Sequence, residues 1–205
     1  MLKENVPASK FVTVGINITL AIVWIAYALW YARAFRETGT WGFLVFCISE
    51  TILACLYVFR TAPRRVSIHF VDWIVAVAGT ALPLLFSSTG VLIWSGGSVL
   101  ILIAFVIQIF GLLSLNRSFA VVPAQRVIKT GGLYRFVRHP LYASYLLAFA
   151  GYILISISLY NILIIAAATT LLFLRIRLEE KYLLTDATYR EYHAQVPWRL
   201  VPFVY

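Results

Sequence analysis

Apolar runs long enough to cross a bilayer dominate this chain, and they decide what it can fold into before any motif is considered. They cover residues 11–32, 41–59, 70–86 and 91–115, then 141–174, where Ser158-Leu159-Tyr160-Asn161 breaks the last run into two halves. A helix needs about 20 residues to span the hydrocarbon core of a membrane. Six such segments therefore consume about 120 of the 205 residues. No room remains for a separate soluble nucleotide-binding sheet. Composition agrees, with 62% hydrophobic and 12% charged residues, against about 45–50% and about 25% in a soluble domain. Disordered chains, coiled coils and conventional soluble enzymes are excluded. The fold class predicted is all-α, a polytopic transmembrane helical bundle of about six segments.

The flanks of the runs refine this. Ala32-Arg33-Ala34 imitates a signal-peptidase site, but the run before it is too long for a signal core and five more follow, so the spacing predicts a retained helix. Ser87-Ser88-Thr89-Gly90 predicts a tight turn between the third and fourth runs. The stretch 116–139 is too polar to cross. From Arg175 to Leu184 the helical pattern continues without Gly or Pro, which predicts a helix projecting beyond the membrane, and residues 193–205 predict an ordered strap. Six crossings put 15 of the 17 Lys and Arg residues on one face, leaving Arg33 and Arg36 opposite. That asymmetry places both termini, the polar loop and the tail in the cytoplasm. The net charge of +9 is thus a topology signal directed at anionic lipid, with no nucleic-acid partner implied. Cys47 and Cys55 lie eight residues apart on one predicted helix, too far for a disulfide. No cysteine-based zinc cluster or His ligand spacing is present, so no metal is expected.

Polar groups worth attention gather at the cytoplasmic face. In Thr130-Gly131-Gly132-Leu133-Tyr134-Arg135-Phe136-Val137-Arg138-His139-Pro140-Leu141-Tyr142, the proline suits the first turn of a helix and pushes His139 out of the α region. Arg138 and His139 then sit at a positive helix mouth that attracts a carboxylate or phosphate. Arg175-Ile176-Arg177-Leu178-Glu179-Glu180 forms the second piece. Adjacent helical residues point about 100° apart, so the two glutamates take different roles. Glu179 lies four residues after Arg175 and can pair with it, whereas Glu180 has only Ile176 at that spacing.

These pieces, in this order, carry a resemblance. Gly-Leu-Tyr-Arg-x-x-Arg-His-Pro-x-Tyr, an apolar hairpin, Arg-x-Arg-x-Glu-Glu, and Tyr192-x-x-x-Val196-Pro197-x-Arg199-Leu200-x-Pro202 resemble the isoprenylcysteine carboxyl methyltransferases and related phospholipid methyltransferases. Leu115-Asn116-Arg117-Ser118-Phe119 and Val122-Pro123-Ala124-Gln125-Arg126 are similar to the bacterial branch. The resemblance implies an integral membrane enzyme, in a bacterial inner membrane, that transfers a methyl group from S-adenosylmethionine to a lipophilic substrate and releases S-adenosylhomocysteine. It implies four N-terminal transmembrane helices over residues 1–115 and a methyltransferase core over 116–205, whose loop and C-terminal helix close a cofactor pocket. By the same resemblance Gln125, Gly132, Leu133, Tyr134, His139, Tyr142 and Glu179 or Glu180 bind the cofactor. Arg138 faces the acceptor group, with Glu180 beside it in the catalytic set. One position departs from the pattern: Gln195 stands where prenylcysteine enzymes often carry an arginine before Val-Pro, although Arg199 lies nearby as a substrate-binding candidate.

Among the remaining polar residues, Glu50 falls in the middle of the second run, and an intramembrane carboxylate is a substrate-binding candidate by default. Asp72, beside His69 and the Arg64-Arg65 pair, predicts a structural ion pair. Asn17 and Gln108 predict interhelical hydrogen bonds. Two other readings stay open at this level. Sterol-reductase-like enzymes share a similar C-terminal architecture and use a nicotinamide cofactor. A small transporter or scaffold would use Glu50 and Asp72 as pathway residues, but it would show related halves with broken helices.

Overall fold

The computed structural model describes residues 10–205 except 40, 62, 64, 120 and 121. Lys3 and Arg64, counted above among the cytoplasmic charges, lie outside the described residues. Six apolar helices form the bundle, as the runs require. Helix α1 (Lys10–Thr38) and α2 (Trp41–Phe59) form an antiparallel hairpin, and Gly39 takes φ +66° where the chain reverses. Strand β1 (Arg65–Val66) leads to α3 (Phe70–Ala81), which tightens into a 3-10 turn at Leu82–Leu85 around Pro83. Then come α4 (Gly97–Leu115), strand β2 (Ala124–Gln125), α5 (Pro140–Ile155), α6 (Leu159–Leu183) and α7 (Ala187–Gln195). The two strands pair antiparallel, Arg65 opposite Gln125, and clip the polar loop to the end of the α1–α2 hairpin.

Four segments are long and apolar enough to cross a membrane: Asn17–Thr38, Trp41–Phe59, Gly97–Ser118 and Leu159–Leu183. Phe70–Leu85 and Pro140–Ile155 are shorter apolar helices. The fourth run begins six residues later as a helix than its hydropathy suggests. Val91 pairs with Ile157 in an antiparallel bridge, and the Ile93 and Trp94 N–H groups donate to the Leu154 carbonyl. Residues 91–94 are therefore non-helical, because the α5–α6 turn offers their backbone a partner. That turn is itself satisfied internally, as apolar surroundings demand. Ser158 caps α6 by accepting from the Asn161 N–H, and the fully buried Asn161 side chain donates to the Ser87 and Ser156 carbonyls at 2.8 and 2.7 Å.

Helix α2 packs on α4, α4 on α5, and α3 on α6. The α4–α5 contact is closest where Gly97 meets Gly151. A Cβ on Gly97 would come within 2.5 Å of the Gly151 carbonyl oxygen, so only small residues fit that crossing. Gln108 on α4 donates to Ser49 on α2, and Asn17 accepts from Arg60, both holding helices together as expected. Asp72 accepts a hydrogen bond from the Ser67 hydroxyl at the start of α3 and forms no ion pair among the described residues, while Arg64, one of the partners expected for it, lies outside them.

Candidate methyltransferase site

The site starts from a tight turn. Gly132 takes φ +59°, and a Cβ there would overlap the Ser114 hydroxyl on α4, whose oxygen accepts from the Leu133 N–H. The resulting 3-10 turn, Gly132–Arg135, drives Tyr134 inward, where its carbonyl accepts from Tyr192 of α7 at 2.7 Å. Burial pushes the Tyr134 phenol well above its ordinary pKa, so it stays a neutral donor. At the next bend His139 has φ −131° and ψ 60°, outside the helical region as Pro140 requires.

The helix mouth there does attract a carboxylate, and the chain supplies it. Glu180 projects from α6 and is 4% exposed. Its Oε1 accepts from Arg138 Nε at 2.8 Å and lies 3.2 Å from His139 Nε2, while Oε2 accepts from Arg199 Nε at 2.8 Å. Arg138 Nη1 donates to the Val196 and Pro197 carbonyls at 2.7 Å. Backbone bonds from Arg138 to Trp198 and from His139 to Arg199 complete the strap predicted for the tail. The hydrogen bond to Glu180 holds the Arg199 guanidinium above its ordinary pKa.

Glu179 faces another way. Its Oε2 accepts from the Tyr142 hydroxyl at 2.6 Å. The Tyr142 ring stacks on His139, with centroids 5.4 Å apart, and carries the Arg175 guanidinium 5.3 Å above its centre. Tyr142 is thus wedged between Arg175 and Glu179, the pair that helical spacing suggested. Two cavities adjoin this wedge. The smaller, about 100 Å³, lies under the 116–139 loop and is bordered by Arg126, Tyr134, Arg138, His139, Glu179 and Tyr189 among others. The larger, about 780 Å³, lies among the apolar helices and includes Trp24, Tyr31, Phe46, Glu50 and Gln108 in its walls. Phe119, Tyr142, Tyr145 and Arg175 border both.

A sequence profile of the phospholipid methyltransferase family matches residues 89–191. The chain belongs to the phospholipid methyltransferase family. As a member it is an integral membrane methyltransferase that acts on a lipophilic substrate. No curated protein matches it by sequence. Among solved structures, the eukaryotic intramembrane Ras methyltransferase isoprenylcysteine carboxyl methyltransferase, without a monobody, is similar at 20% identity and TM-score 0.44. That match covers 95% of this chain and 84% of the other.

Within this phospholipid methyltransferase fold, most of the predicted residues gather at or behind the smaller cavity. Tyr134, Arg138, His139, Tyr142 and Glu179 border the smaller cavity. Gly132, Leu133, Glu180 and Arg199 stand behind its wall, shaping the turn and tying down the tail. Gln125 lies outside both cavities with its amide on the Thr185 hydroxyl at 2.9 Å, and its neighbour Arg126 borders the smaller cavity instead. Glu50 is buried in the larger cavity, about half-way along α2. Reasoning from sequence passed over Tyr145, Arg126 and Tyr189, and it named Arg175 only as the helical partner of Glu179, without a place in the site. For Tyr145 a signal existed: it lies three residues after Tyr142 on α5 and so shares its face. Tyr189 and Arg126 come from separate elements, and nothing local marks them.

Proposed function

We propose that this protein transfers a methyl group from S-adenosylmethionine, held in the smaller cavity, to a lipophilic acceptor held in the larger one. The observation that carries this reading is the shared wall of Phe119, Tyr142, Tyr145 and Arg175, which brings a polar chamber and an apolar chamber to one place. The chemistry of the smaller chamber suits the cofactor. Arg126 Nε and the Tyr189 hydroxyl are buried there with no hydrogen-bond partner, and such groups are costly unless a ligand completes them. Burial lowers the Arg126 pKa to about 10, still charged at neutral pH, so it is a ready partner for the cofactor carboxylate. Glu179 supplies the counter-charge for an ammonium group, and Tyr134, Tyr142 and Tyr189 supply ring faces for a sulfonium or an adenine. Glu180 is unsuited to that task, because Arg138, His139 and Arg199 already surround it.

S-adenosylmethionine supplies an electrophilic methyl group on a positive sulfur. What the protein adds is approach, alignment and dryness. Arg175 and Tyr145 would orient the acceptor at the wall, in a setting where a guanidinium acts as a strong bidentate donor. Arg138 and Glu180 hold the tail and the first turn of α5, so that His139 and Tyr142 keep their place. In this scheme residues 1–115 mainly wall the acceptor chamber and 116–205 the cofactor chamber. A bacterial inner membrane with both termini cytoplasmic opens the cofactor chamber to the cytosol and the acceptor chamber to lipid between the helices.

A ligand that binds the folded state must stabilise it, by about 2.7 kcal/mol at one hundred times its Kd. S-adenosylhomocysteine is therefore expected to raise the melting temperature of the purified protein, and NADPH to leave it unchanged. A shift with NADPH alone would replace the methyltransferase reading with the reductase one.

A further inference from the structure

The larger cavity has one feature that a purely apolar acceptor does not use. On α2, beyond Gly42 near its start, the residues bordering it are Phe43, Phe46, Glu50, Leu53 and Tyr57, a stripe at helical spacing of three and four. Four members are aromatic or aliphatic and the fifth is a carboxylate. Glu50 is 7% exposed, and its Oε2 accepts no hydrogen bond. No ion pair reaches it among the described residues. Its neighbours do not turn toward it: the Ser49 hydroxyl accepts from Gln108, and the Thr51 hydroxyl donates to the Cys47 carbonyl. A carboxyl group buried at mid-helix without a partner destabilises the fold that contains it. An apolar side chain in its place would complete the stripe. The cavity wall thus holds a buried carboxyl with no partner among the described residues, and Trp24 Nε1 in the same wall is likewise unpartnered.

We infer that Glu50 is a second polar anchor in the acceptor chamber, and that the preferred acceptor carries a hydroxyl group within its hydrophobic body. The inference rests on the reading of the larger cavity as the acceptor site. Glu50 lies on α2, and the Arg175–Tyr145 wall is built from α6 and α5, so the two polar points meet one molecule from different helices. A hydroxyl fits Glu50 in either protonation state, donating to the carboxylate or exchanging hydrogen bonds with the carboxylic acid. It also enters the bilayer interior at far lower cost than an ammonium group. Trp24, Tyr31, Phe46 and Phe105 around it offer ring faces to the surrounding chain. A straight alkyl or prenyl tail would leave the carboxyl unmatched, so the site discriminates against fully apolar tails.

The test uses the full-length protein in nanodiscs with radiolabelled stearate and a series of hydroxystearates whose hydroxyl moves along the chain. At least one hydroxylated isomer is expected to bind ten-fold or more tightly than stearate. Glu50→Leu should erase that preference, leave stearate affinity within about two-fold, and raise the melting temperature of the ligand-free protein. Glu50→Gln, which preserves size and a hydrogen-bonding group, should retain part of the preference. The inference is overturned if no isomer exceeds stearate, if nothing in the series binds, or if the preference survives Glu50→Leu. S-adenosylhomocysteine stabilisation is measured alongside. Its absence would count against the methyltransferase reading, whereas its presence with no hydroxyl preference would count against the Glu50 assignment alone.

Discussion

Two arginine–glutamate centres stand within one turn of each other on α6, and they are built to opposite ends. Around Glu180 both carboxylate oxygens are engaged by Arg138, His139 and Arg199, and the arginine's remaining reach goes to the carbonyls of the tail. Around Glu179 the charges are held apart by an aromatic ring, and both Glu179 and Arg175 border open space. A buried centre whose carboxylate is engaged on both oxygens adds rigidity more than chemistry. The second centre leaves room for a ligand. Two adjacent residues of the same type therefore divide the work, one fixing the wall and the other facing the chamber.

The largest effect that would sharpen this contrast is expected at Glu180. Glu180→Ala leaves Arg138, with a side chain 3% exposed, without its counter-charge, a loss of about 3–5 kcal/mol. Thermal unfolding should show a large drop, and limited proteolysis should release residues 196–205. A protein that melts normally and keeps its tail protected would show that the two centres are alike.

At Glu179 the expected loss lies in binding. Glu179→Gln should stay within about 1 kcal/mol of wild-type stability, because a neutral hydrogen bond to Tyr142 survives. Its affinity for S-adenosylhomocysteine should fall by roughly 10-fold or more, the worth of a charge-assisted bond. Isothermal titration decides this, and equal affinities would remove Glu179 from the cofactor chamber.

The smallest expected effect is a pH dependence at the edge of the first centre. Burial, followed by the charge of Arg138, lowers the His193 pKa below 6.5 in the folded protein. Protonation then favours the unfolded chain, so this residue's contribution is complete above pH 6.5 and declines as pH falls through and below it. The melting temperature should drop slightly more between pH 7.5 and 5.5 in wild type than in His193→Asn. Identical slopes would show that the positive charge of the centre does not extend that far.

Much of the architecture was legible because the membrane enforces a simple rule. Six apolar runs become six apolar helices, and the break read at Ser158–Asn161 falls two residues early, at 156–158, with Ser158 capping α6, since an unsatisfied backbone cannot be left in hydrocarbon. Pairings made far apart in sequence were not legible. Val91 meeting Ile157 shortens α4, and Ser67 donates to Asp72 from the loop before α3. The spacing argument did show that Glu180 has no partner on its own helix. It could not show that the partners come from α5's first turn and the tail, and so the choice between the two glutamates stayed open. Gln125 illustrates the same limit: one residue along a strand changes which side of the chain meets the cavity.

The strap has a consequence for how the protein comes into being. Trp198 and Arg199 bind the backbone of Arg138 and His139, and Val196 and Pro197 bind the Arg138 side chain. Those residues are synthesised after all six apolar helices, so the spans can be threaded into the bilayer while the Glu180 cluster still lacks its outer shell. Assembly of the helices and completion of the site are thus separate events in time. A chain stalled or clipped before residue 196 would occupy the membrane correctly and remain unfinished around Arg138 and Glu180, beside the smaller cavity.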